Sequence, residues 1–156
     1  MGIEFKKITI MPILKHGEIE KAVRGFVKDS HTEETHADPD GLYNQTLKCI
    51  AQVLMFKADG RQFWLAEHDG EVLAYALCHI SEDVDNQLCY WITQAWASPT
   101  IRSHKIIKIW FQQFREEAKK LMCKHIIIPS SRGVKAYCRW LGKGWHPYVT
   151  LLKEDI

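Results

Sequence analysis

The chain has no C-x-x-C pair, no dominant charge of either sign and no apolar run long enough to cross a bilayer. Its five cysteines (Cys49, Cys78, Cys89, Cys123 and Cys138) are scattered and odd in number. That excludes a disulfide framework or a paired-cysteine zinc site and fits reduced, mostly buried thiols in a cytoplasmic setting. With 21 basic residues against 19 acidic ones, nothing favours a general coating of nucleic acid. No window holds the ~18 apolar residues of a membrane span, and residues 1–10 alternate apolar and charged side chains, unlike a signal peptide. Repeats, low-complexity tracts and linkers are also lacking. What is present, 156 residues of which 46% are hydrophobic, is enough for one domain with a real core and too little for two.

The periodicity predicts alternating elements. Residues 3–10 suit a strand, interrupted by Lys6 and Lys7. Over 15–28, Ile19, Ala22, Val23, Phe26 and Val27 recur at the spacing of one buried helix face. Asp38-Pro39-Asp40-Gly41 reads as a turn capping a second helix, with Leu42, Leu47, Ile50, Val53 and Leu54 inward and an end near Gly60. The period then changes to two. Residues 63–67 and 72–80 form strands around His68-Asp69-Gly70-Glu71, a hairpin signal. After the acidic turn at 82–86, residues 88–97 form a third strand of the meander. A long helix over 103–123 turns Ile106, Ile107, Trp110, Phe111, Phe114, Ala118 and Leu121 inward. A short strand at 125–129, a helix at 133–141 and a last strand at 145–152 complete the order.

Chemistry concentrates where the 88–97 strand breaks into Ala97-Ser98-Pro99-Thr100-Ile101-Arg102 and the long helix begins. Unpaired N–H groups at a helix start suit a phosphate-bearing ligand. Arg102, His104, Lys105 and Lys108 crowd that first turn, where the helix dipole disfavours positive side chains and a bound phosphate would relieve them. Elsewhere the signals are weaker. His31 and His36 are five residues apart, and a helical zinc motif needs four, so no metal is expected. Cys89 and Cys138 read as core thiols rather than nucleophiles, and Ser130-Ser131 as a helix cap. Trp140, Trp145, His146 and Tyr148 form an aromatic cluster that serves either the core or a protein-binding surface.

The element order β-α-α-β-β-β-α-β-α-β, the Pro99-Thr100-Ile101-Arg102 spacing, the hairpin Ala66–Tyr75 and Ala136-x-x-x-Trp140-x-x-x-Gly144-Trp145 together resemble the GCN5-related N-acetyltransferase (GNAT) family. The resemblance covers most of the chain. It implies an α/β (α+β) fold in one domain over 1–156: a mixed, mostly antiparallel central sheet flanked by helices. It further implies that acetyl-CoA or another acyl-CoA is bound, with the backbone near Ala95 and Ala97 pairing with the pantetheine arm. Amides over Ser103, His104, Lys105, Ile106 and Ile107, beside Arg102, would hold the pyrophosphate. The segment between the first two helices, with Glu33, Glu34 and His36, would border the acceptor groove.

Three departures from the family pattern bear on activity. Lys105 and Ile107 stand where the family keeps two small residues beside the phosphates. Trp140 stands where the family keeps a tyrosine acid, and an indole N–H is no general acid near neutral pH. The 88–97 strand carries no Asp, Glu or His; its polar members are Cys89, Tyr90, Thr93 and Gln94, which leaves neighbouring His79 and Gln94 as the catalytic candidates. Two expectations follow. One is a cytoplasmic acyl-CoA-dependent N-acyltransferase acting on a small-molecule or protein amine. The alternative is a catalytically inactive GNAT-like structural, assembly or binding component, such as part of a bacteriophage virion, with a protein partner or homo-oligomer in place of a substrate.

Overall fold

A computed structural model describes residues 3, 5–9, 16–30, 38–56, 60–102, 104–128 and 144. The helix expected at 133–141, the strand expected at 145–152 and the segment around His31 and His36 lie outside the described residues, as do Ser103, Ser130, Ser131, Cys138, Trp140, Trp145, His146 and Tyr148. Within them the order is β1 (Phe5–Ile8), α1 (His16–Ser30), α2 (Pro39–Phe56), β2 (Arg61–His68), β3 (Glu71–Glu82), β4 (Leu88–Ala97), α3 (His104–Lys120) and β5 (His125–Ile127). The five strands lie side by side in chain order. β1 to β4 are mutually antiparallel, and β5 joins β4 in parallel after the α3 crossover.

Local chemistry explains the boundaries. Asp38 caps α2, its Oδ1 accepting the Gly41 N–H at 2.8 Å, with Pro39 in the first helical position. The β2–β3 hairpin turns on Asp69 and Gly70, both at positive φ (49° and 81°), as a two-residue turn matched to strand twist requires. α3 ends where Met122 goes left-handed, with the Cys123 N–H bonded to the Ala118 carbonyl at 2.9 Å. Strands β2 and β3 run longer than the alternation predicts, because cross-strand pairing carries through their polar ends.

Side-chain alternation divides the sheet into two apolar faces. Phe63, Leu65, Tyr75 and Leu77 face α1 and α2, where Ile19, Ala22, Val23, Val27, Ile50, Val53 and Leu54 pack. Trp64, Ala66, Ala74, Ala76, Cys78, Tyr90 and Ile92 face α3, packing with Phe5, Trp110, Phe114 and Ala118. Two polar residues escaped the periodicity: Thr46 and Glu117 are buried. Glu117 accepts from Lys7 Nζ and from Gln62 Nε2 at 2.9 Å. Gln62 Oε1 in turn takes the Tyr90 hydroxyl at 2.7 Å. Burial would raise the Glu117 pKa, but Lys7 and Gln62 outweigh it and hold the carboxyl below its usual range.

α1 approaches β4 through Gly25, where a Cβ would stand 2.4 Å from a ring carbon of Trp96. Gly25→Ala is expected to lower stability by about 1–2 kcal/mol, the overpacking cost less the helix-propensity gain. Urea titration of the variant checks this; equal or greater stability would show that the indole yields freely.

Candidate functional site

β4 organises the site through its backbone. On one edge it pairs with β3 from Leu88 to Ala97, with a single irregularity. Leu77 faces Gln94 while Cys78 faces Ile92, so Thr93 is an extra, bulged residue. Its hydroxyl donates to the Leu77 carbonyl at 3.0 Å. On the other edge β5 covers Cys89 to Trp91, and from Ile92 onward no strand pairs with that edge among the described residues. The Ser98 N–H bonds to the Leu73 carbonyl at 2.8 Å. That makes Ala97–Ala74 a non-bonded pair, so by alternation Ala95 and Ala97 turn their peptide groups away from β3, toward the uncovered edge. Ala95 is exposed and Ala97 half-buried.

This edge runs into the start of α3. A single 3-10 turn, Pro99–Ile101, is capped by Ser98 and delivers the chain to Arg102. Lys105 and Lys108 are exposed, and Ile106 packs against the α3-side core. Ile107 is half-buried; Ser103 and the His104 side chain are outside the described residues. Arg102 is engaged within the chain. Its Nε donates to the Ala97 carbonyl at 2.6 Å, closing the end of β4, and its Nη2 pairs with Asp29 in the last turn of α1. The same Asp29 oxygen accepts the Trp96 indole N–H at 3.0 Å. One carboxylate therefore draws α1, β4 and the α3 entry together.

His79 and Gln94 come together on the α1/α2 face, flanking the bulge. Gln94 Nε2 donates to Thr46 at 3.1 Å, while its Oε1 is buried without a partner among the described residues. The Tyr75 hydroxyl on the same face is likewise buried and, among the described residues, unpartnered. His79, directly across from Trp91, stacks on that indole with ring centroids 5.8 Å apart and planes 7° from parallel. Burial, and then the nearby Arg61 charge, push its pKa below the ordinary histidine value.

The sequence model of the acetyltransferase (GNAT) family matches residues 23–142, most of the chain and all of this site. The chain belongs to the GNAT family. Solved structures agree in fold. A predicted acetyltransferase from Clostridium acetobutylicum with acetyl-CoA is 17% identical, with 99% of this chain and 96% of that one covered at a TM-score of 0.65. An aminoglycoside N-acetyltransferase with CoA is 14% identical, covered 98% and 100%, with a TM-score of 0.63. Glucosamine-6-phosphate N-acetyltransferase from Arabidopsis thaliana is 12% identical, covered 99% and 100%, at 0.61. No curated protein matches the sequence significantly.

Other groups in this GNAT chain are accounted for structurally. Cys89 is fully buried, and burial together with Asp83 pushes its thiol up to about 11, so it is no nucleophile near neutrality. Burial lifts Cys78 to about 12. No cluster of three or more metal-ligating side chains exists among the described residues, and no described helix is long and apolar enough to cross a membrane. Sequence reasoning missed Asp29, which lies 73 positions from Arg102, and Thr46, the partner of Gln94. Each is defined by a contact distant in sequence, which no local pattern encodes.

His79 is depressed in the folded state, so protonating it opposes folding. Its contribution to stability is present above the unfolded value near 6.5 and is lost as pH falls toward the lower folded pKa. NMR titration should place His79 below 6.5 in the folded protein, and His79→Gln should flatten stability against pH in that window. A folded value above 6.5 would contradict this.

Proposed function

We propose that the chain is an acyl-CoA-dependent N-acyltransferase. The observation that carries this reading is the uncovered β4 edge running directly into the α3 N-terminus. Amide groups of an extended pantetheine arm match an unpaired strand edge, and the pyrophosphate matches the unpaired N–H groups of a helix start. The small side chains of Ala95 and Ala97 leave that edge approachable. Ala95, Ala97, Arg102, Ser103, His104, Lys105, Ile106 and Ile107 would hold the coenzyme, with Arg102 acting mainly by fixing the turn through Asp29 and the Ala97 carbonyl.

The bound coenzyme supplies an activated thioester; the chain supplies position and proton handling. The acceptor enters from the α1/α2 face. Its nitrogen forms the new C–N bond as the C–S bond breaks, the amine gives up one proton, and the departing sulfur ends as a thiol. His79, kept neutral at physiological pH, takes the amine proton directly or through water. Gln94 Oε1, otherwise unpartnered, accepts a second N–H and orients the amine. Much of the acceleration then comes from holding the two reactants together.

A second reading, a GNAT-fold binding or assembly component without activity, draws on Lys105 and Ile107 at the phosphate turn and on the Arg102–Asp29 pair. Calorimetric titration with acetyl-CoA and CoA separates the two. Micromolar binding that weakens about tenfold or more in Arg102→Ala is expected, and no binding at millimolar ligand would overturn the enzyme reading. Given an acceptor, His79→Gln should lower kcat by roughly a hundredfold.

A further inference from the structure

β2, β3 and β4 align three residues in one row across the α1/α2 face: Arg61 opposite His79, and His79 opposite Trp91. The Trp91 indole N–H is buried without a hydrogen-bond partner among the described residues. Arg61 is exposed, and no hydrogen bond or ion pair engages its guanidinium among the described residues. Between them the neutral His79 ring lies flat on Trp91. Among the described residues no carboxylate pairs with Arg61, whose charge is felt at His79. An unpaired buried donor is costly, and a ligand acceptor atom would recover that cost.

We propose that this row binds an anionic group, a carboxylate or a phosphate, carried by the acceptor amine itself. The proposal rests on the acyltransferase reading for the role of that amine. Arg61 and Trp91 stand two strand spacings apart, about 10 Å, with His79 between them. The guanidinium supplies the charge for the oxyanion, and the indole N–H a second donor. The row lies two residues along β3 from Leu77, which faces Gln94, a step of about 7 Å. An amine at Gln94 and an anion at Arg61 therefore belong to one molecule, with several bonds between the two groups. Neutral amines lack the second attachment, and amines bearing further positive charge meet Arg61 unfavourably. The specificity is for anionic amines.

The test follows the Trp91 indole resonance in 1H–15N spectra, assigned with Trp91→Phe, during titration with three probes. These are 4-aminobutyrate, its neutral amide 4-aminobutanamide, and 2-aminoethyl phosphate. The anionic probes are expected to bind at least tenfold more tightly than the amide. Arg61→Ala should erase that preference and Arg61→Lys should keep part of it. The ratio between the carboxylate and phosphate probes identifies which anion the row takes. Calorimetry with CoA, run on the same Arg61→Ala protein, should be unchanged, because Arg61 is remote from the α3 entry. Equal affinity for all three probes, no saturable shift at tens of millimolar, or an anion preference that survives in Arg61→Ala would each overturn the proposal. Loss of CoA binding in the unmodified protein, with the anion preference intact, would overturn the acyltransferase reading alone.

Discussion

The backbone hydrogen bonds of β4 constrain everything around them. Nearly every buried N–H and C=O must find a partner, and β4 satisfies one edge against β3 along its whole length while β5 serves the other for three residues. Among the described residues, that imbalance leaves the β4 edge from Ile92 onward without a strand beside it. The Thr93 bulge adds to it by resetting which peptide groups face which neighbour after Ile92. Without the bulge, Gln94 and Trp96 would exchange faces with Ala95 and Ala97, and neither the open edge nor the acceptor face would carry its present side chains.

A single carboxylate keeps this arrangement in place. Asp29 receives both the Trp96 indole and the Arg102 guanidinium, while Arg102 also closes the last β4 carbonyl. Partly exposed ion pairs contribute little stability on their own. The value of this one is geometric: α1, β4 and the entry to α3 cannot shift independently while Asp29 holds them. Gly25 reinforces the same junction sterically, since any side chain there would meet Trp96.

Much of the fold was legible because it is written in local pattern. The inward residues of α1 and α3 recur at helical spacing, the Asp69–Gly70 turn has the chemistry a hairpin needs, and Pro99 to Arg102 marks the passage from strand to helix. The site was legible in outline at that passage. Its details were not, because they depend on registration between distant segments. Nothing in Ile92-Thr93-Gln94 signals a bulge. Nothing in the local pattern marks Glu117 or Thr46 as buried; their partners Lys7, Gln62 and Gln94 lie far along the chain. Arg102 reads as a free cation until Asp29 is seen across from it, and Arg61, His79 and Trp91 become a row only once three strands are aligned.

The division of the sheet into two faces also has an optical consequence. Trp64 and Trp110 lie in the α3-side core, each 6% exposed, whereas Trp91 and Trp96 are half-buried on the opposite face. The first pair sits in the packed core, although Trp64 donates to Gln62 and Tyr90, and the second lies nearer solvent. Occupancy of the α1/α2 face perturbs the red side of the spectrum, and loosening of α3 perturbs the blue. Among the described tryptophans, the sheet thus carries two reporters of different events, one on each of its faces.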